Sequence, residues 1–207
     1  MIGSKSDGKR SRGRPRGFDE RQAIAAAMRI FWLQGYEAAS IDTLIRGMGM
    51  SRASLYHTFG DKERLFLAAV RVYAEGPFAA VVAQLHSGGS LHDDLMGFFT
   101  GLIGLTAQPQ GARGCLVSCV LADAAGENEE FRKELAQRLA EIEQQIACRL
   151  ELAVADGDLP SNASTKDLAA VIASVARGLT VAARAAKPAD DLGTMARTAI
   201  DLVLARH

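Results

Sequence analysis

The chain is 207 residues long and 48% hydrophobic, enough for one large or two small domains with a true core, which excludes a disordered tail. A formal net charge of zero argues against nucleic acid when taken alone, yet the charge is uneven: 13 Lys and Arg face 7 Asp and Glu through Arg71, and 11 face 17 beyond it. A basic and an acidic region with different partners fit this division.

No run approaches the ~20 apolar residues of a membrane span. The first 18 residues are polar and basic, without the apolar stretch of a signal peptide. A cytoplasmic protein with no membrane partner is expected. Three cysteines, Cys115, Cys119 and Cys148, suit a reducing compartment better than a disulfide framework.

Residues 1–17 hold Gly, Ser, Lys and Arg with almost nothing apolar, which predicts a flexible basic arm. From Asp19 on, Ile24, Ala27, Met28 and Phe31 recur at the spacing of one helical face and stop at Gly35, predicting a first helix. Ser40 stands where it caps a short second helix with Ile41, Leu44 and Ile45, ending near Gly47 and Gly49. Ser51 caps a third that runs to about Thr58, and Phe59, Gly60 and Asp61 lead into a longer fourth. Two short helices joined by a Gly-containing turn make a helix-turn-helix pattern.

Beyond it the helical periods continue. Ser90 with Asp93 opens a helix bearing Leu95, Phe98, Phe99, Leu102 and Ile103, and Asn128 opens a long one bearing Phe131, Leu135, Leu139, Ile142, Ile146 and Leu150. Gly157 and Pro160 stop it. Ser164 and Asp167 open another with Leu168, Val171, Ile172, Val175 and Leu179, and a last one after Pro188 shows Leu192, Met195, Ala199 and Val203. No β-alternation of useful length occurs, so the chain is predicted all-α.

Ser40 to Leu65 reads SIDTLIRGMGMSRASLYHTFGDKERL, and this stretch resembles the DNA-binding domain of the tetracycline-repressor (TetR) family. The likeness extends from Phe18 to about Val70, with the Gly35-Tyr36 element, the Gly49-Met50-Ser51 turn, Leu55-Tyr56, Phe59 and Asp61-Lys62-Glu63 in register. Gly47 and Met48 depart from the smaller helix formers usual in the family, and Ala53 from its frequent glycine. A recognition helix needs polar side chains facing the groove and apolar ones behind; Ser51, Arg52, Ser54 and His57 alternate with Leu55 and Phe59 in that way. Arg52 is the best candidate for a base contact, because its fork matches guanine O6 and N7. Tyr56, His57, Ser40 and Lys62 read as phosphate contacts. The resemblance points to the same tyrosine, its successor and the lysine.

The arm carries Arg12-Gly13-Arg14-Pro15-Arg16, which looks like the core of an AT-hook that lays arginines in a narrow minor groove. A basic tail adding only nonspecific charge fits the composition equally well.

The resemblance implies a domain plan: residues 1–17 as arm, 18–64 as helix-turn-helix domain, and 65–207 as a helical effector-binding and dimerisation domain. The last two long helices would pair with those of a second copy, and double-stranded palindromic DNA and a small-molecule effector would be the partners. Ala-rich stretches such as Ala182-Ala183 favour close helix approach, and a two-fold dimer suits half-sites about 34 Å apart. Phe98, Phe99, Leu102, Cys115 and Val117 are the candidates for an effector pocket, although they also fit an ordinary core.

Cys115 and Cys119, spaced i, i+4 on an expected helix after Arg113, form an alternative thiol sensor of oxidants or electrophiles through Cys115. Inert burial is the more usual fate of such cysteines. His86 and His92 lack the partners of a metal site. No Gly-x-Ser-x-Gly, Walker-type loop or HExxH occurs, so neither an enzyme nor a cofactor is expected. An architectural DNA binder acting through the arm would bind without sequence preference.

Overall fold

The computed structural model describes residues 19–108 and 111–205, and these are helical throughout, with no strand among them. The predicted arm, with Arg12, Arg14 and Arg16, lies outside the described residues.

The first four helices start at polar caps. Asp19 Oδ1 accepts the N–H groups of Arg21 and Gln22 before α1 (Glu20–Gln34). Ser40, Ser51 and Asp61 each accept the N–H three residues on, opening α2 (Ile41–Met48), α3 (Arg52–Phe59) and α4 (Lys62–Tyr73). Gly49 ends α2 in the left-handed conformation, at φ 66° and ψ 34°, which lets the chain turn at once into α3. Gly47 lies inside α2 instead of ending it, where a Cβ would run into the Ile30 side chain of α1.

α4 does not stop at Tyr73. It runs on through a π-helical turn (Ala74–Phe78), the short α5 (Ala79–Val82) and a 3₁₀ turn (Ala83–His86). Pro77 has no N–H to give, and the wider π turn forms around it. The resulting Lys62–His86 helix is long and apolar enough to cross a membrane, which corrects the expectation that no run qualifies. Its apolar residues serve two cores instead: Leu65, Phe66, Ala69, Val70 and Tyr73 enter the first, and Val81 and Leu85 the second.

The first core belongs to α1–α4 and is closed from outside them. Phe131, at the start of α8 (Glu129–Asp156), packs edge-on to Tyr36 and Phe66 at centroid distances of 5.0 and 5.2 Å. A second π-helical turn (Leu116–Leu121), which leads into the single turn α7 (Ala122–Ala124), adds Leu116, Val117, Val120 and Leu121. Residues 64 and 65 both lie in α4, whose Leu65, Phe66, Ala69, Val70 and Tyr73 pack in this first core.

The second core joins α6 (Leu91–Thr106), α8, α9 (Thr165–Arg184) and α10 (Ala189–Leu204). One ion pair is buried there. Arg149 Nε donates to Asp94 Oδ2 at 2.6 Å, while Ser87 and the Gly89 N–H donate to Asp94 Oδ1. Leu152, Val171, Val181, Met195 and Leu202 remain exposed on α8, α9 and α10.

Candidate nucleic-acid interface and the cavity behind it

α3 turns Leu55 and Phe59 into the first core and leaves Ser51, Arg52, Ser54, Tyr56 and His57 exposed. Ser51 Oγ caps the helix through the Ser54 N–H and lies 2.8 Å from Ser54 Oγ, so both hydroxyls are tied to the helix start. Ser40 does the same at α2, with its Oγ 3.0 Å from Thr43 Oγ1.

Arg52 is held from α2: its Nη2 donates to Asp42 Oδ1 at 2.6 Å, and the carboxylate raises the guanidinium pKa. Asp42 is a residue the sequence reading missed. Its place one residue into α2, ten before Arg52, offers no local signal.

Lys62, at the start of α4, lies with Nζ 4.4 Å from the centre of the Tyr36 ring and donates to the Glu37 carbonyl at 3.3 Å. Partial burial lowers its pKa against the opposing pull of Glu37. Tyr36 is pushed up to about 12 by burial first and then by Glu63, Glu37 and Asp61. This cation–π contact fixes the lysine beside the α2–α3 surface.

Behind this surface, on the far side of the first core, lies a cavity of about 450 Å³, within the roughly 300–1,000 Å³ range of small-molecule sites. Of the expected pocket residues Phe98, Leu102, Cys115 and Val117 line it. Phe99 does not: it is 1% exposed and packs into the second core, 5.3 Å from the ring of Phe98. Both π-helical turns contribute wall, Ala74, Glu75 and Phe78 from one and Val117 and Ser118 from the other. Arg138, Ile142, Ala176 and Arg177 close it from α8 and α9. Sequence reading missed these; Pro77 inside an otherwise helical run was the available clue.

Cys115 is not on a helix, as the i, i+4 spacing suggested, but is the extended residue that precedes the second π turn, at φ −86° and ψ 137°. Its thiol is buried at the cavity wall and accepts a hydrogen bond from the Tyr73 hydroxyl at 3.4 Å. Burial pushes the Cys119 thiol up, and its Sγ lies 3.9 Å from the Thr180 carbonyl.

The segment before Cys115 also touches the DNA-facing unit. Trp32 Nε1, on α1, donates to the Gly114 carbonyl at 2.7 Å. Gly114 has φ 78°, and a Cβ there would stand 2.8 Å from Cys119 Sγ and 3.2 Å from the Thr180 carbonyl, so only glycine lets the chain pass between α1 and α9.

A short capped helix with an exposed polar face, set by a Gly turn against its predecessor and joined to a cavity-bearing helical domain, defines a helix-turn-helix regulator. Residues 23–69 match the family model "Bacterial regulatory proteins, tetR family", and residues 92–199 match "Tetracyclin repressor-like, C-terminal domain". The chain belongs to the TetR family.

It is 29% identical over 198 residues to the HTH-type transcriptional repressor ComR of Escherichia coli, covering 94% of this chain and 93% of that one. It is 29% identical over 159 residues to the uncharacterized HTH-type transcriptional regulator YezE of Bacillus subtilis, covering 77% and 81%. Among solved structures it resembles a cysteine-mutant form of the TetR family transcriptional regulator CifR complexed with a 26-base-pair double-strand operator DNA. That match has a TM-score of 0.83 and 30% identity, and covers 90% of this chain and 98% of that one.

Proposed function

We propose that the chain is a dimeric transcriptional repressor that grips a palindromic operator through α3 of each protomer and lets go when a small molecule fills the cavity. The observation that carries this reading is the exposure of Arg52, Ser54, Tyr56 and His57 on a capped helix whose Leu55 and Phe59 are buried in the first core. Arg52 reads a base edge, and Ser40, Ser51, Tyr56, His57 and Lys62 hold phosphates. The arm, residues 1–17, adds Arg12, Arg14 and Arg16 to the minor groove beside the unit formed by residues 18–64.

Residues 65–207 bind the effector and dimerise through α9 and α10, whose exposed Val171, Val181, Met195 and Leu202 support a second copy packing there. The protein works in the cytoplasm. Release follows from linkage. Cavity residues Ala74, Glu75 and Phe78 continue directly from α4, which begins at Lys62, so a ligand preferring a shifted α4 favours a dimer whose recognition helices no longer match the half-sites.

Selection of bound sequences from random duplex DNA, with the intact protein and with Arg52→Ala, tests this. A two-fold symmetric motif that blurs in the variant is expected; enrichment of no motif would sink the reading.

The Tyr73 hydroxyl bonded to a thiol at the cavity wall favours a second mode, in which modification of Cys115 itself releases DNA. Alkylation of Cys115 should then lower affinity for the selected duplex, and a modified protein that binds it unchanged removes this mode.

A further inference from the structure

Resting on the reading of the cavity as the effector site, the geometry points to its ligand class: an uncharged, largely apolar molecule with one or two hydrogen-bonding groups. The floor is apolar, made by Phe98, Leu102 and Val117, with Phe78 at the side. The charges in the α8 and α9 walls are already committed to one another. Arg138 gives Nε and Nη2 to Glu134 at 2.8 Å and Nη1 to Glu141 at 2.9 Å. The other Glu141 oxygen accepts the Gln137 amide, and Arg177 donates to Glu143 at 3.0 Å and to Ser174 at 2.9 Å.

An anionic ligand would have to draw Arg138 or Arg177 away from a carboxylate, and a cationic one would have to share Glu141 with Arg138 and the Gln137 amide, at a side chain 47% exposed where water weakens the attraction. The Arg138 and Glu134 side chains are only 13% and 14% exposed, so a partner stripped from that pair would be left poorly hydrated as well as unpaired. A neutral ligand disturbs none of these pairs and gains by covering the floor. Ser118 and Gln145 line the cavity and make no side-chain hydrogen bond among the described residues, which leaves them to orient a hydroxyl or carbonyl. Glu75 and His86 also reach the cavity, but from exposed positions at the rim, where water screens them.

The test is calorimetric titration of the full-length protein with 2-naphthol, 2-naphthoate and 2-naphthylmethylammonium, three probes of similar size and different charge. 2-Naphthol is expected to bind at least about tenfold more tightly than either ion. The binding should vanish in Ala79→Trp and in Ala83→Trp, which fill the cavity from exposed wall positions and should leave Tm unchanged. Equal or tighter binding of either ion, lost in the same two variants, overturns the assigned ligand class but keeps the cavity as the effector site. Binding of no probe, or 2-naphthol binding that survives in both variants, overturns the cavity as the site.

Discussion

The α2–α3 surface and the cavity hold their charges in opposite ways. Arg52 and Asp42 form a short pair in water, with side chains 55% and 70% exposed, so the guanidinium can exchange its carboxylate for a base edge at little cost. Arg138 and Glu134 form a pair of similar length sheltered from water, and exchange there is expensive. On the proposed reading, the surface that meets a polyanion has charges free to change partners, and the wall that selects a small molecule has charges that are not. The same residue types serve both ends of the chain, and burial decides which behaviour they show.

The sharpest extension of this contrast goes deeper still, to Asp94 and Arg149. Asp94→Asn removes the partner of a nearly fully buried guanidinium and should cost about 3 kcal/mol of stability, read as a fall in Tm with the selected DNA motif unchanged. The loss should depend on pH. Burial by itself would raise the Asp94 pKa, but the Ser87 hydroxyl, Arg149 and the Gly89 N–H outweigh it and hold the carboxyl below its usual range. A carboxyl lowered on folding stabilises above its unfolded pKa, and that contribution is lost as pH falls through the folded value. The gap between parent and Asp94→Asn should therefore close on acidification below about pH 3.9, and a gap that persists would show that the ion pair is not its source.

At the exposed end the effects are smaller and fall on DNA instead of Tm. Arg52→Ala should weaken binding to the selected duplex by about 1–3 kcal/mol. Asp42→Asn should change stability by less than about 1 kcal/mol. Because it removes a carboxylate from the DNA-facing side, it should tighten binding to scrambled duplex while blurring the base position read by Arg52, measured by fluorescence anisotropy on both duplexes. If Asp42→Asn lowered Tm as far as Asp94→Asn, the contrast between the two regions would collapse.

Legibility in the sequence followed the same division. Ser40, Ser51, Ser90 and Asn128 announce their helices because a cap acts on an N–H only three residues on. The exposed face of α3 is likewise a matter of spacing within a single helix. The cavity is not local: Phe98 and Phe99 are neighbours in sequence and both are buried in the second core, but only Phe98 also lines the cavity. Asp42 against Arg52, Lys62 against Tyr36, and Arg177 against Glu143 depend on how helices meet, which periodicity along one helix does not encode.

The bond from Trp32 to the Gly114 carbonyl has a practical consequence. Trp32 is the only tryptophan in the chain, it lies edge-on to Tyr73 at 4.9 Å, and the hydroxyl of Tyr73 touches the cavity thiol. The chain thus carries its one indole fluorophore, excitable apart from its three tyrosines, where α1 meets the segment that leads to the cavity. Its emission can report, with no dye attached, whether filling the cavity is felt by α1 before any DNA is present.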